Sequence, residues 1–174
     1  MPYCFIGFLF VFLDFSLTLP HGGALNLLPD FLGYALVAWG VSRLRHKNAH
    51  LRRASIAACA VFVLPLLEFV LNIAKVTMTK PLELALSISL TAAALYVSYE
   101  VTEGAKALER TLYKKLETDK LSAAWMILCI TSLLEYLTLY LPDVALPCYI
   151  VHWIAVIWFE SALFHFERAL PKAK

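Results

Sequence analysis

Charged residues are scarce in this chain: only 16% of its 174 residues are Asp, Glu, Lys or Arg. Soluble globular domains carry about 25% charged residues and about 45–50% apolar ones, whereas 61% of this chain is hydrophobic. This composition excludes an ordinary soluble domain. It predicts one transmembrane domain over residues 1–174, surrounded by the lipid bilayer, with no room for an appended soluble domain.

Enzyme and cofactor motifs are also lacking. The sequence contains no HExxH, GxSxG or GxGxxG motif and no phosphate-binding P-loop, so the chemistry that these motifs support is not indicated. Its four cysteines lie in apolar stretches without a CxxC pair, which favours buried, reduced thiols. The sequence leaves any cofactor unidentified and favours a protein that is not an enzyme.

Six apolar segments are present, and a helix needs about 20 residues to cross a hydrocarbon core of ~30 Å. Short connections join the segments in pairs, so the sequence predicts an all-α integral membrane protein with six transmembrane helices. The helices would form three hairpins, at about 2–46, 54–110 and 121–168. The segments run from about 2 to 19, 29 to 43, 54 to 74, 81 to 104, 121 to 141 and 144 to 166.

Thirteen of the 15 lysines and arginines would fall on one side of such a bundle. Cytoplasmic connections of membrane proteins carry an excess of these residues. We therefore expect both termini in the cytoplasm, in a multi-pass protein of the inner or plasma membrane. Because orientation bias or anionic lipid explains basic residues at membrane ends, no nucleic-acid partner is expected. The thirteen are Arg43, Arg45, Lys47, Arg52, Arg53, Lys106, Arg110, Lys114, Lys115, Lys120, Arg168, Lys172 and Lys174.

Three carboxylates recur in one context, each about five to seven residues before the end of an apolar segment: Asp14, Glu68 and Glu135. A charge at the centre of a spanning helix costs on the order of 2.5–3.5 kcal/mol by insertion scales, and such residues usually face the bundle interior or a wet cavity. Their matching depth predicts a shared acidic cavity that opens away from the cytoplasm. The alternative is that each acid is protonated, or hydrogen-bonded to Ser, Thr or Asn on a neighbouring helix.

Four further residues would complete this cavity. Asp30 and Glu83 follow prolines by one or two residues, which is typical of a helix start, and they lie at the same outer end. Tyr136 offers an aromatic face for an amine, and His152 with the acids would suit a metal ion, so the choice of a metal stays open. The candidate ligand-binding residues are therefore Asp14, Glu68, Glu135, Asp30, Glu83, Tyr136 and His152.

Small residues recur at helical spacing in two segments. Gly33 and Gly40 lie in the second segment, and Ala85, Ser89 and Ala93 lie in the fourth. Such ladders allow close approach of helices. They predict internal packing, or a docking face for a protein partner or a second copy of the chain.

The acids on the basic side are expected to be solvated partners of the lysines and arginines. Glu160 is different, because it lies inside the last segment toward the cytoplasmic end, and the sequence does not define its role. The solvated group comprises Glu100, Glu103, Glu109, Glu117, Asp119 and Glu167.

The segment Leu25-Asn26-Leu27-Leu28-Pro29-Asp30-Phe31-Leu32-Gly33-Tyr34, preceded by Phe12-Leu13-Asp14-Phe15, resembles a stretch in small bacterial multi-pass membrane proteins that have no established activity. In length, span number and cytoplasmic termini the chain is also similar to the S-components of energy-coupling-factor vitamin transporters. That resemblance implies an outward-facing pocket for a small molecule, gated by the first outer loop. S-components dock through small residues on their first helix, whereas here the ladder lies on the fourth.

These features favour binding or translocation of a small cationic solute, which would be a metal ion, an amine or a solute moved together with protons. One alternative is a membrane-embedded hydrolase or transferase that uses paired carboxylates such as Asp14 and Asp30. Another is a non-catalytic subunit of a larger membrane complex.

Overall fold

The computed structural model describes residues 2–12, 16–18, 24–26, 30–74, 79–112, 115–138 and 140–170. Two three-residue strands, β1 (Ser16–Thr18) and β2 (Ala24–Asn26), pair antiparallel with Leu17 opposite Leu25, and a 3-10 turn spans Pro142–Val144. Almost all of the remaining described chain is helical. The helices are α1 (Pro2–Phe12), α2 (Asp30–Ser42), α3 (Ala49–Val61), α4 (Val63–Ile73), α5 (Lys80–Leu112), α6 (Thr118–Leu137) and α7 (Ala145–Ala169).

Four helical segments are long and apolar enough to cross a membrane: Ala49–Leu71, which joins α3 to most of α4, and the helices α5, α6 and α7. The predicted all-α class is therefore found, with four candidate membrane-spanning helices, but six spans in three hairpins are not confirmed. Helices α1 and α2 have 11 and 13 residues, or about 17 and 20 Å at ~1.5 Å per residue. Both are shorter than a hydrocarbon core of ~30 Å.

The helices follow one another around a closed ring. Helix α1 packs on α2, α2 on α3, α3 on α5, α5 on α6, α6 on α7, and α7 returns to α1. We call the end that holds the α2–α3 and α5–α6 connections the basic end, and the other the opposite end. The apolar core lies in the half near the basic end, where side chains such as Phe8, Val41, Leu51, Val101 and Leu121 are buried.

Glycines set the close contact between α1 and α2. A Cβ added to Gly33 would lie 2.6 Å from the carbonyl oxygen of Gly7, and one added to Gly40 would lie 2.6 Å from the Sγ of Cys4. The interpretation of Gly33 and Gly40 as close-packing positions is confirmed. The ladder on α5 differs, because Ala85 and Ser89 are exposed and do not pack inside the bundle.

A proline separates α3 from α4. Pro65 has no N–H to bond to the carbonyl of Val61, and its ring disfavours a continuous helix at that point. Phe62 between the two helices keeps a helical backbone, and its N–H donates to Ala58 O at 3.0 Å. Helix α3 packs against both α2 and α5, whereas α4 packs mainly against α2.

Two acids expected on a solvated face are buried instead, so that prediction was wrong for Glu100 and Glu167. Glu100 on α5 is 2.7 Å from His50 Nδ1 and 3.9 Å from Arg53 on α3. Buried carboxylates are tolerated where they are paired in this way. The predicted pairing of Glu103 with a lysine is confirmed, since it lies 2.7 Å from Lys106 Nζ.

Substitution Gly33→Ala is predicted to destabilise the protein, because the new methyl group would collide with the backbone of α1. Overpacking of this kind costs about 1–3 kcal/mol, which thermal unfolding in detergent would detect. The matched control is Ala35→Ser, which adds one heavy atom on the exposed side of the same helix and should leave the melting temperature unchanged. Equal melting temperatures for both variants would contradict the tight α1–α2 contact.

Candidate functional site

A cavity of about 490 Å³ opens in the half of the bundle away from the basic end. Helices α1, α2, α4, α5, α6 and α7 all contribute to its wall. We call it the acidic cavity, after the four carboxylates in its lining: Asp30, Glu68, Glu83 and Glu135.

The structure brings together six of the seven candidate residues. Asp30, Glu68, Glu83, Glu135, Tyr136 and His152 all line the acidic cavity. The seventh, Asp14, lies outside the described residues. That these side chains bind a ligand stays a prediction, but their convergence from five different helices is a structural fact.

Helix α4 positions Glu68. Pro65 and Glu68 are three residues apart, so they share one side of α4, and both line the cavity. Phe69 contacts Phe31 of α2, with ring centroids 5.2 Å apart, and Phe31 also contacts Phe62 at 6.0 Å. These aromatic contacts hold α4 against α2 and keep its carboxylate directed into the bundle.

The first turns of two helices supply two further acids of the cavity. Asp30 and Glu83 lie in the first turns of α2 and α5, where an acid complements the positive end of the helix dipole. The interpretation of both residues as helix starts is therefore confirmed. Their position serves helix stability and places negative charge in the cavity wall at the same time.

Glu135 and His152 form a pair between α6 and α7. Glu135 Oε1 lies 3.8 Å from Nε2 of His152, whose Nδ1 is 3.3 Å from the hydroxyl of Thr131. Thr131 and Glu135 are one turn apart on α6, so a single helix face meets both ring nitrogens. His152 is buried and Glu135 is partly exposed to the cavity. The ring is thus held between a hydroxyl and a carboxylate that reaches water.

Tyrosine hydroxyl groups form hydrogen bonds between the helices that line the acidic cavity. The Tyr136 hydroxyl lies 2.7 Å from Thr91 Oγ1 and 3.3 Å from Ser87 Oγ, which links α6 to α5. Tyr34 on α2 donates to the carbonyl of Leu90 on α5 at 3.4 Å. Sequence inspection missed the hydroxyls of Ser87 and Thr91, although polar residues four apart on an apolar helix were the available signal.

The charge of the acidic cavity is negative. Four carboxylates line it and its only basic side chain among the described residues is His152, since no lysine or arginine is in the wall. Low-dielectric walls strengthen the electric field of charges in such a cleft. Within the described part of the chain, no three His, Cys, Asp or Glu side chains are grouped to hold a metal ion. The carboxylates instead surround a wider space.

Aromatic rings form much of the remaining wall. Phe12, Tyr34, Phe69 and Tyr149 line the cavity together with Tyr136. Not every aromatic residue near the opposite end belongs to the cavity wall: Tyr140 is 83% exposed. Ring faces beside carboxylates are a suitable environment for an organic ammonium group.

Comparison of the chain with protein-family models, with curated proteins and with solved structures gives no match.

Substitution Tyr136→Phe is predicted to lower the stability of the protein, because it removes the hydroxyl that joins α6 to Thr91 and Ser87. A lost hydrogen bond of this type costs about 0.5–1.5 kcal/mol. Tyr140→Phe is the control, since Tyr140 lies nearby in the chain and is 83% exposed. Thermal unfolding of the two variants in detergent should separate them. A Tyr136→Phe variant as stable as Tyr140→Phe would show that the hydroxyl does not brace the wall.

Proposed function

We propose that the protein binds or translocates a small cationic solute in the acidic cavity, and that the solute is an amine in preference to a metal ion. The observation that carries the proposal is the convergence of four carboxylates on one cavity whose described lining contains no lysine or arginine. Ionisable residues inside membrane proteins commonly mark ion and substrate paths or the counter-charges of ligands.

The size of the cavity suits a small molecule. Ligand pockets are typically about 300–1,000 Å³ and combine apolar walls with a few convergent polar groups, and this one has about 490 Å³. A desolvated metal ion would need several oxygen or nitrogen ligands at short distances. An ammonium group with an organic body fits separated carboxylates and aromatic rings better.

The orientation of the protein is part of the proposal. We infer that the basic end faces the cytoplasm, in agreement with the positive-inside rule, and that the chain lies in an inner or plasma membrane. Arg45, Arg52, Arg53 and Arg110 are all at this end of the helices. The acidic cavity would then open to the outside and receive an external solute.

A thermal-stability screen tests the binding proposal. Purified protein in detergent would be heated with polyamines, amino-acid amides, metal ions and vitamins. A ligand that binds only the folded state adds about 2.7 kcal/mol at a concentration 100 times its dissociation constant, so we expect an amine to raise the melting temperature. The double variant Glu68→Gln with Glu135→Gln should lose this shift, because both carboxylates line the cavity.

The control variant removes the same number of carboxylates from a different part of the protein, near the basic end. Glu103→Gln with Glu117→Gln removes two carboxylates near the basic end that pair with Lys106 and Lys120, and it should keep the amine shift. If both double variants lose the rise in melting temperature equally, the rise depends on the net charge of the protein and not on the acidic cavity. No shift with any amine, polyamine or metal would contradict the proposal and favour a subunit that works through a protein partner.

Cysteine labelling tests the orientation. The four native cysteines are first replaced by alanine, and a single cysteine is then introduced as Lys115→Cys or Asp143→Cys. Lys115 lies between α5 and α6, and Asp143 lies between α6 and α7. Both positions are exposed. A membrane-impermeant maleimide added to intact cells should label only Asp143→Cys, and Lys115→Cys should react only after the cells are opened. The reverse pattern would place the acidic cavity toward the cytoplasm.

A further inference from the structure

Glu160 is a buried acid that the acidic cavity does not include. It lies in the second half of α7 and is 4% exposed. Neither of its carboxyl oxygens has a hydrogen-bond partner among the described residues. A carboxyl group in this situation loses its hydration without replacement, which makes its charged form very costly.

No cation compensates Glu160 in the described part of the chain. Helix α1, which packs on α7, offers only Cys4 near it, and α7 itself offers the buried Glu167. Helix α6 has charged side chains only toward its ends, at Asp119, Lys120 and Glu135. The groups that face Glu160 are therefore a thiol and a second acid, and neither favours a negative charge.

Three ionisable residues lie along the buried side of α7. His152 lines the acidic cavity, Glu160 follows eight residues later, and Glu167 follows after a further seven. At ~1.5 Å per residue these steps are about 12 and 10 Å, and all three side chains are buried. Glu167 accepts a hydrogen bond from the Phe5 N–H at 3.3 Å, while its other oxygen has no partner among the described residues. The row extends from the cavity to the basic end.

We propose that Glu160 is a proton-binding site that exchanges with solvent along this row, through His152 on the side of the cavity and Glu167 on the side of the basic end. Chains of Asp, Glu and His inside membrane proteins serve as proton relays. The site holds one proton on its carboxyl group.

The proton site would couple entry of the cationic solute to release of a proton from Glu160. If a cation enters the cavity and one proton leaves Glu160, the net charge within the membrane is unchanged, so the exchange avoids adding a desolvated charge. This coupling rests on the proposed function. Proton binding at Glu160 does not, and it is measurable without any solute.

Infrared spectroscopy of the protein in detergent tests the site. A protonated carboxyl group has a carbonyl band that is absent from a carboxylate and shifts when its proton is replaced by deuterium. We expect such a band at neutral pH in the wild-type protein and its loss in Glu160→Gln. If the amide variant does not fold, Glu160→Leu replaces it, since an apolar side chain is tolerated where a buried acid has no partner. Glu103→Gln is the control, because Glu103 is paired with Lys106, and it should keep the band.

Deuterium exchange tests the row. After transfer to heavy water the Glu160 band should shift in the wild-type protein, and His152→Gln or Glu167→Gln should slow that shift. Carbonyl bands that are unchanged in both Glu160 variants would overturn the proton site. A Glu160 band whose exchange is unaffected by either neighbouring substitution would overturn the row and leave a structural acid. Both results are independent of the amine screen, so failure of the proposed function is recognised separately.

Discussion

The structure depends on one constraint: a carboxylate in a membrane must be turned toward protein or water, because hydrocarbon cannot solvate it. Glu68 and Glu135 meet this constraint by facing a common cavity. Glu100 meets it differently, by pairing with His50 and Arg53. The same requirement therefore produces an open, polar half of the bundle and a closed half in which a buried charge is neutralised.

Packing is tightest between α1 and α2. Gly33 and Gly40 let α2 approach α1 closely along its length, and Cys4, Phe8 and Val37 are buried there. This contact extends to the cavity, since Asp30 and Tyr34, on either side of Gly33, line its wall. A tightly packed helix pair therefore forms one side of the acidic cavity.

The fold class and much of the candidate site are predictable from the sequence for physical reasons. Acids in apolar segments have few permitted orientations, so Glu68 and Glu135 were predictable as neighbours across the bundle. The number of spans does not follow from composition alone, because Ser16–Thr18, which the sequence places in the first apolar segment, pairs as a strand with Ala24–Asn26. Local composition does not reveal that pairing. The burial of Glu100 and Glu167 was also hidden, since it depends on which helix packs against each face.

The two classes of buried acid have opposite energetic consequences. A paired acid such as Glu100 contributes a contact between helices, whereas Glu160 is buried and has no hydrogen-bond partner in the described residues. Unfavourable groups of this kind persist where function needs them, at the expense of stability. A proton on Glu160 removes its charge. The free energy that burial of the charged carboxylate would cost is therefore the same free energy that favours binding of the proton.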